Sequence, residues 1–229
     1  MSQVESRKER NERGLKDINL TYGEIEFKSF FQVFKWIQKT WKDKDPDCWH
    51  NAFNVPGGTF VDLGHGTGKG VLAGAFMHQF ERCWGIEILE SLQNVSINLK
   101  AVYDTYLTEV EADTYEQVFG WPLVQPPRFD VELGDIFEFE WHDADFIFCN
   151  STCFNATMME QIYQKTLKCK KGTWFVTMSK RLPHAEKISD DKPTPEDLHW
   201  EFILAIKLQM SWGKATVNVQ RKRTHPVAE

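Results

Sequence analysis

The sequence predicts an α/β fold: a mostly parallel seven-stranded sheet with an antiparallel C-terminal hairpin and an N-terminal helical extension. Three observations predict it. Short apolar runs recur at 59–63, 83–87, 129–133, 144–149 and 173–178, each ending in polar or turn residues. Segments of helical period separate most of them, the alternation that builds parallel sheets. The last two β-like runs, 202–210 and 215–220, are joined by Ser211-Trp212-Gly213-Lys214, a hairpin-style turn.

Taken in order, residues 1–17 are charged and nearly free of apolar side chains. They read as a flexible or helical arm that matters only with a partner. Phe27, Phe30, Phe31, Phe34 and Ile37 recur at helical spacing with lysines on the other faces, which predicts an amphipathic helix. After the strand 59–63 and its glycines, Val71 to Phe76 continues a helix begun beyond Gly68. Leu92, Val95, Leu99, Val102 and Tyr106 predict a helix over 89–107. The stretch 108–128 is acidic, then proline-rich, and reads as an insertion. Ala156 to Leu167 is helical in period, and 180–199 is a polar, proline-broken loop. The expected organisation is a charged arm over 1–19 and one domain over 20–223, with the hairpin at 201–221.

Composition narrows the class. The 229 residues suffice for one large α/β domain. Nine Trp and 17 Phe supply a ring-rich core. A net charge of −6 argues against a general nucleic-acid binder. The five cysteines are odd in number and scattered, and read as reduced thiols of an intracellular protein. Cys149 and Cys153 lack a second Cys/His pair at zinc spacing, so no metal is expected. No apolar run reaches the roughly 18 residues a membrane helix needs, and the N-terminal residues lack the apolar core of a signal peptide.

The chemistry concentrates at predicted strand ends. In open parallel sheets, ligands lie at the carboxyl ends of the strands, at the switch point, so the fold class is α/β and Rossmann-like. Asp62 and Gly64, Glu87, Asp135 and Asn150 fall at four such ends. Between the first two runs lies Gly64-His65-Gly66-Thr67-Gly68-Lys69-Gly70. A phosphate loop fails here, because Gly68-Lys69 is followed by Gly70 and Leu63 stands where the first glycine belongs. A dinucleotide loop can be laid on the glycines, but it sets Asp62 beside a pyrophosphate. S-adenosylmethionine carries a sulfonium and an ammonium, so an acid beside its loop is attractive. On that reading Asp62, Gly64, Gly66, Gly68 and Lys69 hold the donor. Glu87 accepts the two ribose hydroxyls. Asp135 takes the adenine amine, with Ile136 against the ring.

Four pieces together resemble one family. They are Tyr22-Gly23-Glu24 ahead of a helix; Phe60-Val61-Asp62-Leu63-Gly64 with Gly66, Gly68 and Glu87; Gly134-Asp135 followed by Phe148-Cys149-Asn150 and Phe154; and Ser211-Trp212 near the end. Their order is similar to that of the non-SET histone H3 lysine methyltransferases, the disruptor-of-telomeric-silencing (Dot-one) branch of class I methyltransferases. The resemblance covers residues 20–220. It implies a methyltransferase domain with its cofactor motifs at 60–150, and S-adenosylmethionine as cofactor. It places Asn150 beside the methyl donor and the lysine channel, so Asn150 and Tyr22 are the catalytic candidates. It folds the Tyr22-Gly23-Glu24 loop over the methionine end, with Glu24 toward the donor, and walls the channel with Phe154 and Trp212.

The chain departs from the family in places. Asn150-Ser151 replaces a pair of asparagines, Lys69 a glutamine, and Val217-Asn218-Val219 occupies the region of a last-strand aromatic. The expected partner is a protein substrate, a histone or nucleosome by resemblance, with weak direct nucleic-acid binding and no membrane contact. A histone acceptor implies the nucleus; another acceptor implies the cytoplasm. A non-histone protein, a small amine and a non-catalytic cofactor-binding subunit remain alternatives. His65 is expected to face solvent or the cofactor carboxylate, and Arg221-Lys222-Arg223 to be solvated surface.

Overall fold

A computed structural model describes residues 2–14, 26–41, 53, 55–109, 126–188, 191, 195–210 and 213–224. The elements run α1 (Ser2–Glu12), α2 (Phe27–Trp41), β1 (Thr59–Leu63), α3 (Lys69–Met77), β2 (Arg82–Glu87), α4 (Glu90–Glu109), β3 (Arg128–Leu133) and β4 (Phe146–Cys149). A 3-10 turn at Ser151–Cys153 follows, then α5 (Ala156–Thr166), β5 (Trp174–Met178), β6 (Trp200–Met210) and β7 (Gly213–Lys222).

The strands form one seven-stranded sheet in the order β3-β2-β1-β4-β5-β7-β6. β1 pairs in parallel with β2 on one side and with β4 on the other. β7 enters antiparallel between β5 and β6. The order reverses between β1 and β4, which opens a crevice at their carboxyl ends. Every residue of β4 and β5 is buried, as expected of strands covered on both faces.

Alternation along β1 divides the core. Phe60 faces Phe30 and Phe34 of α2, with Phe146 and Phe80 beside them. Val61 and Leu63 face the other layer, with Met159 and Ile162 of α5, Trp141 and Trp200. Asn155 starts α5 by accepting the Met158 amide at 2.8 Å, an N-cap that fixes where the helix leaves the site.

The expectations for three segments meet different outcomes. Of the two readings of the N-terminal arm the helical one holds over Ser2–Glu12, and this helix docks on the start of α4 through hydrogen bonds. The insertion expected at 108–128 falls largely outside the described residues, and its ends belong to α4 and β3. Arg221 and Lys222 are not solvated surface. Arg221 is buried, with its guanidinium 5.5 Å from the ring centroids of both Trp41 and Trp174. The buried Lys222 ammonium donates to Thr166 O at 3.3 Å and Leu167 O at 3.1 Å. A cation there complements the negative end of α5. No helix among the described residues is long and apolar enough to cross a membrane.

Candidate active site

One cavity opens at the carboxyl ends of β1, β2 and β4. Asp62, Gly64, Gly66, Lys69, Glu87, Asp135, Ile136, Asn150 and Phe154 all line it. The sheet order therefore brings together residues that the sequence holds up to 92 positions apart.

Glu87 closes β2 and is buried. Its Oε2 accepts the Gly66 amide at 2.9 Å and its Oε1 accepts the Leu89 amide at 2.9 Å. The carboxylate thus ties the glycine loop to the β2 end, and each oxygen retains acceptor capacity toward the cavity. Burial raises its pKa, against the hydrogen bonds from Leu89, Gly66 and Ile88.

Asp62 is buried beneath the loop, and its Oδ1 has no hydrogen-bond partner. Burial, and then the neighbouring Glu87 charge, push its carboxyl well above the usual carboxylate range. An orphaned buried carboxylate facing a cavity is costly unless a cationic group completes it. Gly70 makes this seat possible: a Cβ there would lie 2.2 Å from Asp62 Oδ2.

Gly68 is corrected. It does not line the cavity. It caps α3 in the left-handed conformation, φ 85°, and a Cβ there would lie 3.0 Å from Ser96 Cβ of α4. Its role is close packing of loop on helix. His65 lines the cavity and does not face solvent. Its ring turns under the loop and is buried, with Nδ1 2.9 Å from Gly66 O and Nε2 3.0 Å from Gln93 Oε1. Burial takes its pKa down to about 4, so the imidazole is neutral at pH 7.

Asp135 follows β3, and its Oδ1 accepts the Phe137 amide at 3.0 Å. That bond sets the turn that buries Ile136 against the cavity. Asn150 follows β4, where its Oδ1 accepts the Thr152 hydroxyl at 2.8 Å and caps the 3-10 turn. The adjoining Ser151 points away from the cavity. Its buried hydroxyl faces Met178 O at 2.5 Å and Lys180 O at 2.9 Å and pins the turn to the end of β5. The departure from a second asparagine is thus a structural anchor. Phe154 is buried with its ring edge 4.0 Å from where a Gly64 Cβ would stand.

Tyr22, Glu24 and Trp212 lie outside the described residues. Among the residues lining the cavity, sequence reasoning did not assign Ser6, Thr67, Gly70, Ile86, Ile88, Leu89, Leu92, Phe148, Cys153 and Met158. Of these only Gly70, the fourth glycine of the run, carried a legible signal. No group of three or more His, Cys, Asp or Glu among the described residues could hold a metal ion.

The family profile described as Histone methylation protein DOT1 matches residues 51–219. The chain belongs to the DOT1 family. A search of curated proteins finds no match. Among solved structures, the DOT1-family chain is similar to one described under conversion of a disulfide bond into a thioacetal group during echinomycin biosynthesis. That match has 11% identity, a TM-score of 0.51, and covers 96% of this chain and 93% of that one. It is also similar to a proposed RNA methyltransferase from Pyrococcus horikoshii, at 11% identity and TM-score 0.49, covering 85% and 82%. A proposed tRNA (m1A22) methyltransferase from Streptococcus pneumoniae matches at 12% and 0.46, covering 78% and 69%. Identities this low speak to the fold alone. Membership of that family makes this protein an S-adenosylmethionine-dependent methyltransferase. The orphaned Asp62 oxygen and the backbone-held Glu87 carboxylate fit that cofactor, which brings a cation and a ribose diol.

Proposed function

We propose that the protein transfers a methyl group from S-adenosylmethionine to a lysine side chain of a protein, with a histone as the acceptor. The observation that carries this reading is the DOT1 match over residues 51–219, which spans every cavity residue except Ser6. When bound, S-adenosylmethionine supplies an electrophilic methyl group on a sulfonium.

The chain's residues bind and orient. Asp62 pairs with the ligand's ammonium and becomes fully ionised as it does so. Glu87 accepts the ribose hydroxyls. Asp135 accepts from the adenine amine, and Ile136 packs on the ring. Asn150 borders the reacting end, beside Phe148, Phe154 and Met158. These apolar walls exclude water and favour the neutral form of an incoming amine. The carboxylates lining the cavity, Asp62, Glu87 and Asp135, all sit at the ends of β1, β2 and β3. No dedicated base is therefore assigned beside Asn150, and alignment of the amine carries most of the rate. A histone acceptor places the protein in the nucleus.

The test is transfer of tritiated methyl onto nucleosomes, free histones, total RNA and a whole-cell lysate. Label on histone lysine is expected. Label only on a non-histone band, on RNA or on a small amine would remove the histone reading and leave the enzyme.

A further inference from the structure

The N-terminal helix α1 has no apolar face. Its sequence is SQVESRKERNE, and Val4, its one aliphatic residue, is 74% exposed. Hydrophobic burial does not hold it in place, and an isolated helix of this length is marginal in water. Polar contacts to the start of α4 hold it instead. The Glu9 carboxylate accepts the Glu90 amide at 2.8 Å and the Ser91 amide at 2.9 Å. These are donors of the first turn of α4, which have no partner within their own helix. Arg13 donates to Ile88 O at 2.7 Å and pairs with Glu9 at 3.2 Å.

Apart from the Arg13–Glu9 pair, these contacts fall on residues 88–91, the turn directly after Glu87. Ser6, one helical turn before Glu9, is 1% exposed and lines the same cavity as Asp62, Glu87 and Ile136. The most polar helix among the described residues thus contributes a buried wall to the site, with charged hydrogen bonds tying it to the turn that follows the ribose acceptor.

We propose that α1 is a component of the donor-binding site. Ser6 forms its outer wall, and Glu9 and Arg13 are positioning residues that hold this wall on the 88–91 turn. The bound adenosyl ligand then leaves only when α1 lifts. This rests on the S-adenosylmethionine reading of the cavity. Ligand and helix stabilise each other, because each is ordered against the other. The contacts are charge-assisted and partly exposed, so salt loosens the wall.

The experiment uses the full chain and S-adenosylhomocysteine. Association and dissociation rates are measured for the wild type, Glu9→Ala and Ser6→Trp, with amide hydrogen exchange followed over residues 2–14. In the wild type, ligand is expected to slow exchange in α1. Glu9→Ala is expected to speed dissociation about tenfold, as loss of a charged hydrogen bond would, with association within about threefold and thermal stability nearly unchanged. Ser6→Trp projects bulk into the cavity and should weaken binding at unchanged Tm. A purely structural helix would alter stability without splitting the two rates. Wild-type binding with unchanged dissociation in Glu9→Ala and no ligand protection of α1 would overturn the proposal and leave the donor site standing. Absence of wild-type binding would overturn both.

Discussion

The two sides of the cavity are built differently. On the β1–β2 side, Asp62 and Glu87 are 3% and 6% exposed, and Glu87 is locked by two backbone amides. On the β4 side, half-buried Asn150 caps a three-residue 3-10 turn that ends in half-buried Cys153 and is anchored from below by Ser151. The first side spends burial on charge, which is tolerable only when a cation arrives. The second offers polar and aromatic surface that shapes a path. The difference teaches how one crevice separates recognition of a donor from placement of an acceptor. Substitutions on the first side should be read in affinity and pH, and those on the second in rate.

The largest effect expected is on rate. Asn150→Ala should slow methyl transfer about a hundredfold by loss of alignment, while affinity for S-adenosylhomocysteine shifts no more than about threefold. Single-turnover kinetics beside calorimetry measures both. A loss confined to affinity would erase the contrast between the two sides.

Next comes Glu87→Ala. Removing a charge-assisted acceptor should cost about 1.5–3 kcal/mol, roughly ten- to a hundredfold in affinity. Calorimetric titration checks it, and an unchanged constant would place the ribose elsewhere.

Asp62 sharpens the comparison through pH. In the free protein its carboxyl is raised by burial and by Glu87, and a ligand ammonium favours the ionised form. Binding should therefore release a proton, and affinity should rise as pH climbs toward the raised pKa and level off above it. Stability runs the other way. Between the unfolded pKa of about 3.9 and the raised folded value, the folded state holds the extra proton, so wild-type stability falls as pH rises through that window. Asp62→Asn lacks this loss. It should melt above the wild type at pH 7, match it near pH 4, and bind the ligand poorly. Melting curves across pH with the variant beside the wild type decide this.

The smallest effect is expected for Ser151→Ala. Loss of its hydroxyl leaves Met178 O and Lys180 O without that donor, which costs about 1 kcal/mol. The turn should loosen, lowering the transfer rate severalfold with donor affinity unaltered.

Periodicity and strand-end chemistry made much of this legible. The apolar runs at 59–63 and 83–87 became β1 and β2 with bounds within a residue. Asp62, Glu87, Asp135 and Asn150 were found because a parallel sheet gathers its strand ends. The packing of Gly68 on α4 was not legible, because spacing along a loop does not say which side of it faces a helix; Ser96 decides that. That His65 is withdrawn from solvent was not legible, since its partner Gln93 is 28 residues away. Arg221 and Lys222 of β7 looked like surface because their charge is visible in the sequence and the tryptophans and helix end that stabilise them are not.

By itself the sequence determined the α/β alternation, the acids at the strand ends and the family, because these depend on local period and on residue type at fixed spacing. Only the tertiary structure decided that α1 walls the cavity, that Ser151 anchors rather than lines it, and that Asp62 is left without a partner on Oδ1. Those facts arise from contacts between segments far apart in the chain, and it is packing, not local preference, that sets which donors and acceptors meet.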